Sequence, residues 1–111
     1  MIAEQMLSLC NFIMDCDITK RERTNDISYK RYIYFALCRY ADEDISLSEI
    51  GRACGGRSHS TVINGLKVFY DVVVNNEYYW NIYQKCLEHY NSIGTETEGD
   101  VKEKIYKDHI K

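Results

Sequence analysis

Apolar residues recur every three or four positions along most of the chain, which is the spacing of one face of an α-helix. Residues 2–16 carry the first stripe and residues 28–40 carry the second. A short third stripe follows the sequence SLSE, a fourth begins near Ser58, and a fifth begins after Asn75-Asn76. Proline is absent, so little interrupts these helices. The pattern predicts an all-α fold of about five helices.

Residues that commonly cap helices stand at the predicted boundaries. We expect Asp26 or Ser28 to cap the second helix. SLSE has the form of a capping box, in which the Ser46 hydroxyl accepts from the amide of Glu49 and the Glu49 carboxylate reaches back to Ser46. These boundaries divide the apolar stripes into separate helices.

The two glycines at Gly55-Gly56 are expected to end the third helix, because glycine enters the left-handed conformation without steric penalty. Beyond Ser92 the composition becomes polar with scattered apolar residues. We therefore divide the chain into a domain at residues 1–91 and a tail at residues 92–111, expected to be disordered or a loosely docked helix.

Cysteine usage and hydropathy indicate where in the cell the protein is expected to lie. The five cysteines are an odd number with no CxxC pair, and no secretory signal precedes them, which favours reduced thiols in a cytoplasmic protein. No apolar run approaches membrane-spanning length, so we expect no membrane partner. No metal-ligand cluster, catalytic constellation or cofactor motif emerges, and GxxxxGK[ST] is missing, so we expect no enzyme activity, no metal and no cofactor.

Charge is unevenly distributed along the chain. The net charge is −3, but residues 19–67 contain nine Lys or Arg and six Asp or Glu, a net of +3. A solvated surface with a chance bias would explain such a segment on its own. Its densest part is a cluster of five cations: Lys20, Arg21, Arg23, Lys30 and Arg31.

The segment SLSEIGRACGGRSHSTVI predicts a helix-turn-helix, since a short helix, a tight turn and a second helix with small polar residues follow one another. Ser58, His59, Ser60 and Thr61 fall on the first turn of that second helix. Hydroxyls pair with several base edges in the major groove, and imidazole donates to guanine acceptors. The alternative is that these residues only cap a helix, which needs one or two of them.

SLSEIGRACGGRSHSTVINGLKVF resembles the signature of the C-terminal DNA-binding domain of the bacterial replication initiator DnaA, a Trp-repressor-like helix-turn-helix. The resemblance implies major-groove contacts by Arg57, Ser58, His59, Ser60 and Thr61. It also implies minor-groove or phosphate contacts by a second set: Lys20, Arg21, Arg23, Lys67 and Ser46.

The chain departs from that signature at several positions. Ser48 replaces a proline, Ser58 an aspartate and Ser60 a threonine, while Glu22 interrupts the basic loop. Loss of a carboxylate removes an acceptor for the cytosine amino group, so the preferred DNA sequence is expected to differ. Gly65 lies inside the predicted recognition helix, where it costs roughly 1 kcal/mol relative to alanine, and we interpret it as a site of close helix approach.

We therefore predict a protein that binds double-stranded DNA with a sequence preference and acts in replication or transcription control. One alternative is a protein-interaction module that keeps this fold and binds a replication or transcription protein. Another is an accessory DNA-binding factor of a phage or mobile element. The tyrosine-rich last helix is interpreted as core or as a partner interface. The sequence leaves the oligomeric state open.

Overall fold

The computed structural model describes residues 2–22 and 24–92, and over these residues the fold is all-α, as predicted. Its elements in chain order are α1 (Ile2–Met14), α2 (Asn25–Ala41), α3 (Leu47–Ala53), α4 (His59–Asp71), a 3₁₀-helix (Val73–Asn75) and α5 (Glu77–Ser92). Of the predicted tail at residues 92–111, only Ser92 belongs to the described part, so the proposed domain boundary stays a prediction.

The α2 helix is the centre of the molecule. It packs against α1, α3, α4 and α5, and residues 33–38 are buried without interruption. A helix that is apolar on every side must be covered on every side. The other helices therefore surround α2, and α3 and α4 are fixed against a common core.

Capping residues determine where the helices begin, and one predicted cap is wrong. Thr24 caps α2, its hydroxyl accepting from the Ile27 amide at 3.4 Å. Asp26 and Ser28 lie inside the helix instead. Asp26 uses its carboxylate to accept a hydrogen bond from Tyr79 and to pair with Lys30. Several polar residues stand near the start of α2, and Thr24 caps it because the helix begins at Asn25, ahead of both predicted caps.

The capping residues of α3 and α5 agree better with the sequence. Ser46 Oγ accepts from the Glu49 amide at 3.0 Å, which is one of the two hydrogen bonds of the predicted capping box. The expected break at Asn75-Asn76 is confirmed, since the 3₁₀-helix ends there. The Asn76 side chain then accepts from the amides of Tyr78 and Tyr79 and so begins α5.

Gly65 allows α4 to lie directly against α2. A Cβ added at this position would lie 2.6 Å from Tyr32 Cδ1 and 2.7 Å from two ring atoms of Phe35. These distances are far below van der Waals contact, so the interpretation of Gly65 as a site of close helix approach is confirmed. No helix in the described part of the chain has both the length and the hydropathy needed to cross a membrane.

Candidate nucleic-acid interface

The turn between α3 and α4 folds back closely onto α3. Gly55 and Gly56 have φ values of +72° and +74°, the left-handed conformation predicted for this pair. The amide of Arg57 donates to the Gly51 carbonyl at 2.8 Å. A side chain at Gly51 would overlap the carbonyl oxygen of Arg57. The three glycines together make the tight connection of a helix-turn-helix.

A buried tyrosine holds this unit against α2. The Tyr34 hydroxyl donates to the carbonyl of Ile50 at 2.9 Å, near the C-terminal end of α3. Carbonyls at a helix end have no partner within the helix, so this hydrogen bond satisfies a group that would otherwise be buried unpaired. Burial raises the pKa of Tyr34, which therefore stays a neutral donor.

The first turn of α4 contains two kinds of polar residue. Ser58 is its N-cap, with Oγ accepting from the Thr61 amide at 3.2 Å and lying 3.0 Å from Thr61 Oγ1. His59 and Ser60 are exposed and make no side-chain hydrogen bond within the described residues. Capping thus accounts for Ser58 and Thr61, whereas the side chains of His59 and Ser60 are available to a ligand.

One exposed face of α4 continues from Ser60 toward the C-terminus of the helix. Asn64 and Lys67 follow Ser60 at spacings of four and seven residues, and all three are exposed. Asn64 was missed in the sequence analysis, although its helical spacing from Ser60 was available there. Asparagine can form a bidentate pair with adenine in the major groove.

A small groove on the α3 side brings a second overlooked residue to the interface. Its volume is about 230 Å³, and Arg52 and Ser48 line it together with Ser58 and His59. Arg52 is exposed on α3 and has no ion pair within the described residues. The first helix of the unit therefore supplies a cation beside His59.

The described residues of the basic loop (residues 19–24) lie against the other side of the turn. Lys20 and Arg21 are exposed, and Arg23 falls outside the described residues. Arg21 and Thr61 line the same polar groove, whose volume is about 410 Å³. The structure thus brings the loop and the start of α4, which are about 40 residues apart in sequence, to one surface.

Not all cations of the sequence cluster lie free on this surface. Arg31 is only 6% exposed, and its guanidinium donates to main-chain carbonyls of the segment before α2. Lys30 forms an ion pair with Asp26 at 3.0 Å. Arg57, predicted to contact DNA, also donates its guanidinium hydrogens to carbonyls. Among the described residues of the cluster, Lys20 and Arg21 alone are exposed and free of an ion pair.

Comparison with known proteins finds a family match that includes α3, the turn and most of α4. The model of the bacterial dnaA protein helix-turn-helix family matches residues 12–68, just over half of the chain. The chromosomal replication initiator protein DnaA of Treponema denticola is 41% identical over 49 residues, which cover 44% of this chain. The chain spans only 10% of the length of that relative. No solved structure gives a significant match.

Proposed function

Because the chain belongs to the bacterial DnaA helix-turn-helix family, we propose that it binds double-stranded DNA with a sequence preference, in replication or transcription control. In this proposal α4 enters the major groove and the basic loop follows the adjacent minor groove. The supporting observation is the pair His59 and Ser60, exposed and without hydrogen-bond partners in the described residues on the first turn of α4. Neither side chain caps α4 or packs in the core, so both are available to a ligand.

The base contacts follow from the chemistry of each side chain. His59 donates to guanine acceptors, the Ser60 hydroxyl accepts or donates, and the Thr61 methyl meets a thymine methyl. Asn64 extends the contacts one turn further along the same face. The unpaired amides at the start of α4 add donors and a partial positive charge for a phosphate.

Ser58 changes the preferred base without changing the helix. Aspartate and serine are both good N-caps, so serine at this position preserves the start of α4. Serine lacks the carboxylate that would accept from a cytosine amino group. The preferred sequence of this protein therefore differs from that of a relative with aspartate at the same position.

Phosphate binding is assigned to the cations around this surface. Lys20 and Arg21 of the basic loop, Lys67 on α4 and Arg52 on α3 are exposed and free of ion pairs within the described part. Arg23 retains the minor-groove role that the resemblance implies. Ser46, exposed at the start of α3, would hydrogen-bond a phosphate at the edge of the interface. Arg57 contributes positive charge to the groove while its hydrogen bonds hold the turn.

The proposal is tested by selecting binding sites from a random duplex library at near-physiological salt. A His59→Ala/Thr61→Ala double variant is run in parallel, with His89→Ala on α5 as a matched control. We expect a defined motif to be enriched by the parent and by the control, but not by the double variant. If the parent enriches no motif, the proposed sequence preference is wrong.

A further inference from the structure

The side chain of Arg31 holds the main chain of the segment that contains the basic loop. Its Nε donates to the Ile18 carbonyl at 2.8 Å, and its Nη2 donates to the carbonyls of Lys20 and Glu22, the latter at 2.9 Å. The carbonyls of every second residue, three in all, thus accept from one guanidinium. The planar fork of arginine suits this arrangement, whereas a lysine ammonium presents its donors around a single point.

Arg57 holds the same segment from the helix-turn-helix side. Its Nη1 donates to the carbonyls of Cys54 at 2.6 Å and Thr19 at 3.2 Å, and its Nη2 donates to the carbonyl of Lys20 at 3.0 Å. The Lys20 carbonyl therefore accepts from both arginines. Arg31 belongs to α2 and Arg57 to the turn, so the loop is tied to two separate parts of the fold.

Gly55 shows that the loop and the turn are in direct contact. A Cβ at Gly55 would lie 2.7 Å from the carbonyl oxygen of Thr19. At Gly56, which has nearly the same φ, an added Cβ would meet nothing within 4 Å. The absence of a side chain at Gly55 therefore serves contact with the loop as well as backbone conformation.

Burial of Arg31 is costly, and within the described residues no carboxylate forms an ion pair with it. Neither Arg31 nor Arg57 takes part in an ion pair within the described residues. Burial lowers the pKa of Arg31, and the nearby charge of Arg57 lowers it further. Carbonyl hydrogen bonds compensate for the lost hydration only while the loop stays docked. The hydrogen bonds that compensate the charges of Arg31 and Arg57 are therefore the same ones that hold the loop in place.

We infer that Arg31 is a positioning residue for DNA binding. It docks the basic loop onto the helix-turn-helix, so that Lys20 and Arg21 are held at a constant position relative to His59 and Ser60. This inference rests on the proposed function. Its physical benefit is preorganisation, because a loop that is ordered before binding loses less conformational freedom in the complex.

A double-mutant cycle between Arg31 and Arg21 tests this role. Arg21→Ala in the parent should weaken duplex binding several-fold and reduce the slope of log affinity against log salt by about 0.9, the value for one lost phosphate contact. In an Arg31→Lys background the fold-loss caused by Arg21→Ala should be less than half as large. Equal fold-losses in the two backgrounds would overturn the positioning role.

Arg39→Lys serves as the matched control for Arg31→Lys. Arg39 lies on the same helix and donates one hydrogen bond to a carbonyl, that of Ile45, outside the basic loop. In this background Arg21→Ala should cost as much as in the parent. Discrimination between matched and scrambled duplexes, which depends on His59, should survive in the Arg31→Lys protein.

Gly55→Ala supplies a test that does not require the Arg31 variant to fold. The amides of Thr19 and Lys20 both donate to Asp17, at 3.0 and 3.4 Å, and are convenient hydrogen-exchange probes of the loop. We expect faster exchange at these two amides in Gly55→Ala than in Gly56→Ala, which has the same backbone strain without the steric overlap. If the two glycine variants exchange alike, the docking is wrong.

DNA binding and docking of the loop are measured separately, so different results contradict them. A parent protein that binds no duplex overturns the proposed function and with it the role of Arg31 in DNA binding. Exchange rates at the amides of Thr19 and Lys20 are measured without DNA, so they test the docking of the loop independently of DNA binding. Unchanged exchange in Arg31→Lys and in Gly55→Ala would overturn the docking even if DNA binding is demonstrated.

Discussion

Ser58 and Ser60 are the same residue type two positions apart, but hydrogen bonding gives them different tasks. The hydroxyl of Ser58 accepts from the amide of Thr61, whereas Ser60 is exposed and unbonded within the described residues. Arg21 and Arg31 differ in the same way, one exposed and the other buried against carbonyls. At this scale the surroundings decide whether a polar side chain supports the fold or is available to DNA.

A matched pair of serine variants separates these tasks. Ser58→Ala removes the N-cap of α4 and should lower the free energy of unfolding by about 1 kcal/mol. Ser60→Ala should leave stability unchanged within about 0.5 kcal/mol, but should reduce discrimination between matched and scrambled duplexes by about 1 kcal/mol or more. Urea unfolding and duplex competition measure the two quantities, and a stability loss in Ser60→Ala would contradict the assignment.

Gly65→Ala should destabilise the protein although alanine is the better helix former. Propensity alone favours alanine by roughly 1 kcal/mol. The added methyl would overlap the rings of Tyr32 and Phe35, and overpacking of a core typically costs about 1–3 kcal/mol. We therefore expect a lower urea midpoint than in the parent. An increased midpoint would show that α2 and α4 can separate at little cost.

At the scale of elements, α5 lies beyond the matched residues 12–68 and is nevertheless part of the fold. It packs against α1 and α2. Tyr83, Cys86 and Leu87 are buried there, which supports the interpretation of the tyrosine-rich helix as core. The Tyr79 hydroxyl donates to Asp26 Oδ1 at 2.7 Å, and its ring meets Tyr29 edge to face with centroids 5.1 Å apart. These contacts join the start of α5 to the start of α2.

The contact between Tyr79 and Asp26 predicts a pH-dependent contribution to stability. The hydrogen bond from Tyr79, assisted by Lys30, holds the pKa of Asp26 below its ordinary value of 3.8. A lowered pKa in the folded state stabilises the protein above that ordinary value, and the contribution is lost as the pH falls through the folded pKa.

The Tyr79→Phe variant measures this pH-dependent contribution to stability. Its thermal midpoint should lie below that of the parent at pH 6, and the difference should shrink as the pH falls below the ordinary value of 3.8 and Asp26 becomes protonated. The change in thermal midpoint is expected to be small because Asp26 is exposed. A difference in thermal midpoint that does not change with pH would show that Tyr79 acts through packing alone.

At the scale of the whole molecule, all helices contribute to one core, and four of the five cysteines are buried in it. All five thiols are free; Cys10, Cys38, Cys54 and Cys86 are buried, and Cys16 is half-buried. Burial raises the pKa of Cys38 to about 12. The four buried thiols are shielded from a reagent in solution, so they should be inert while the core is closed.

Alkylation with iodoacetamide at pH 8 therefore reports on the integrity of the fold. We expect a single adduct on the native protein, at Cys16, formed more slowly than on a free peptide thiol because partial burial raises the pKa of Cys16 as well. Five adducts should form in denaturant. Mass spectrometry counts them, and rapid native labelling at Cys10 or Cys86 would show that α1 and α5 separate in solution.

Helix positions and the helix-turn-helix were predictable because their causes are local. The cap at Ser46, the left-handed turn at Gly55 and the break at Asn76 depend on neighbouring residues in the chain, and each is found as expected. The cap of α2 was mistaken because Thr24, Asp26 and Ser28 can all cap a helix, and the helix begins at Asn25, before the two residues that were predicted. Arg52 and Asn64 were overlooked because exposure beside a groove is decided by packing.

The sequence by itself determined the fold class, the family signature and the order of the helices, since periodicity, caps and turns act within a few residues. Only the tertiary structure decided which cations are available to DNA. Arg21 and Arg31 are indistinguishable by charge, and their difference arises from carbonyls that approach Arg31 when the loop folds onto α2. Contacts between distant segments assign these roles, because burial and hydrogen-bond partners exist only once the chain has packed.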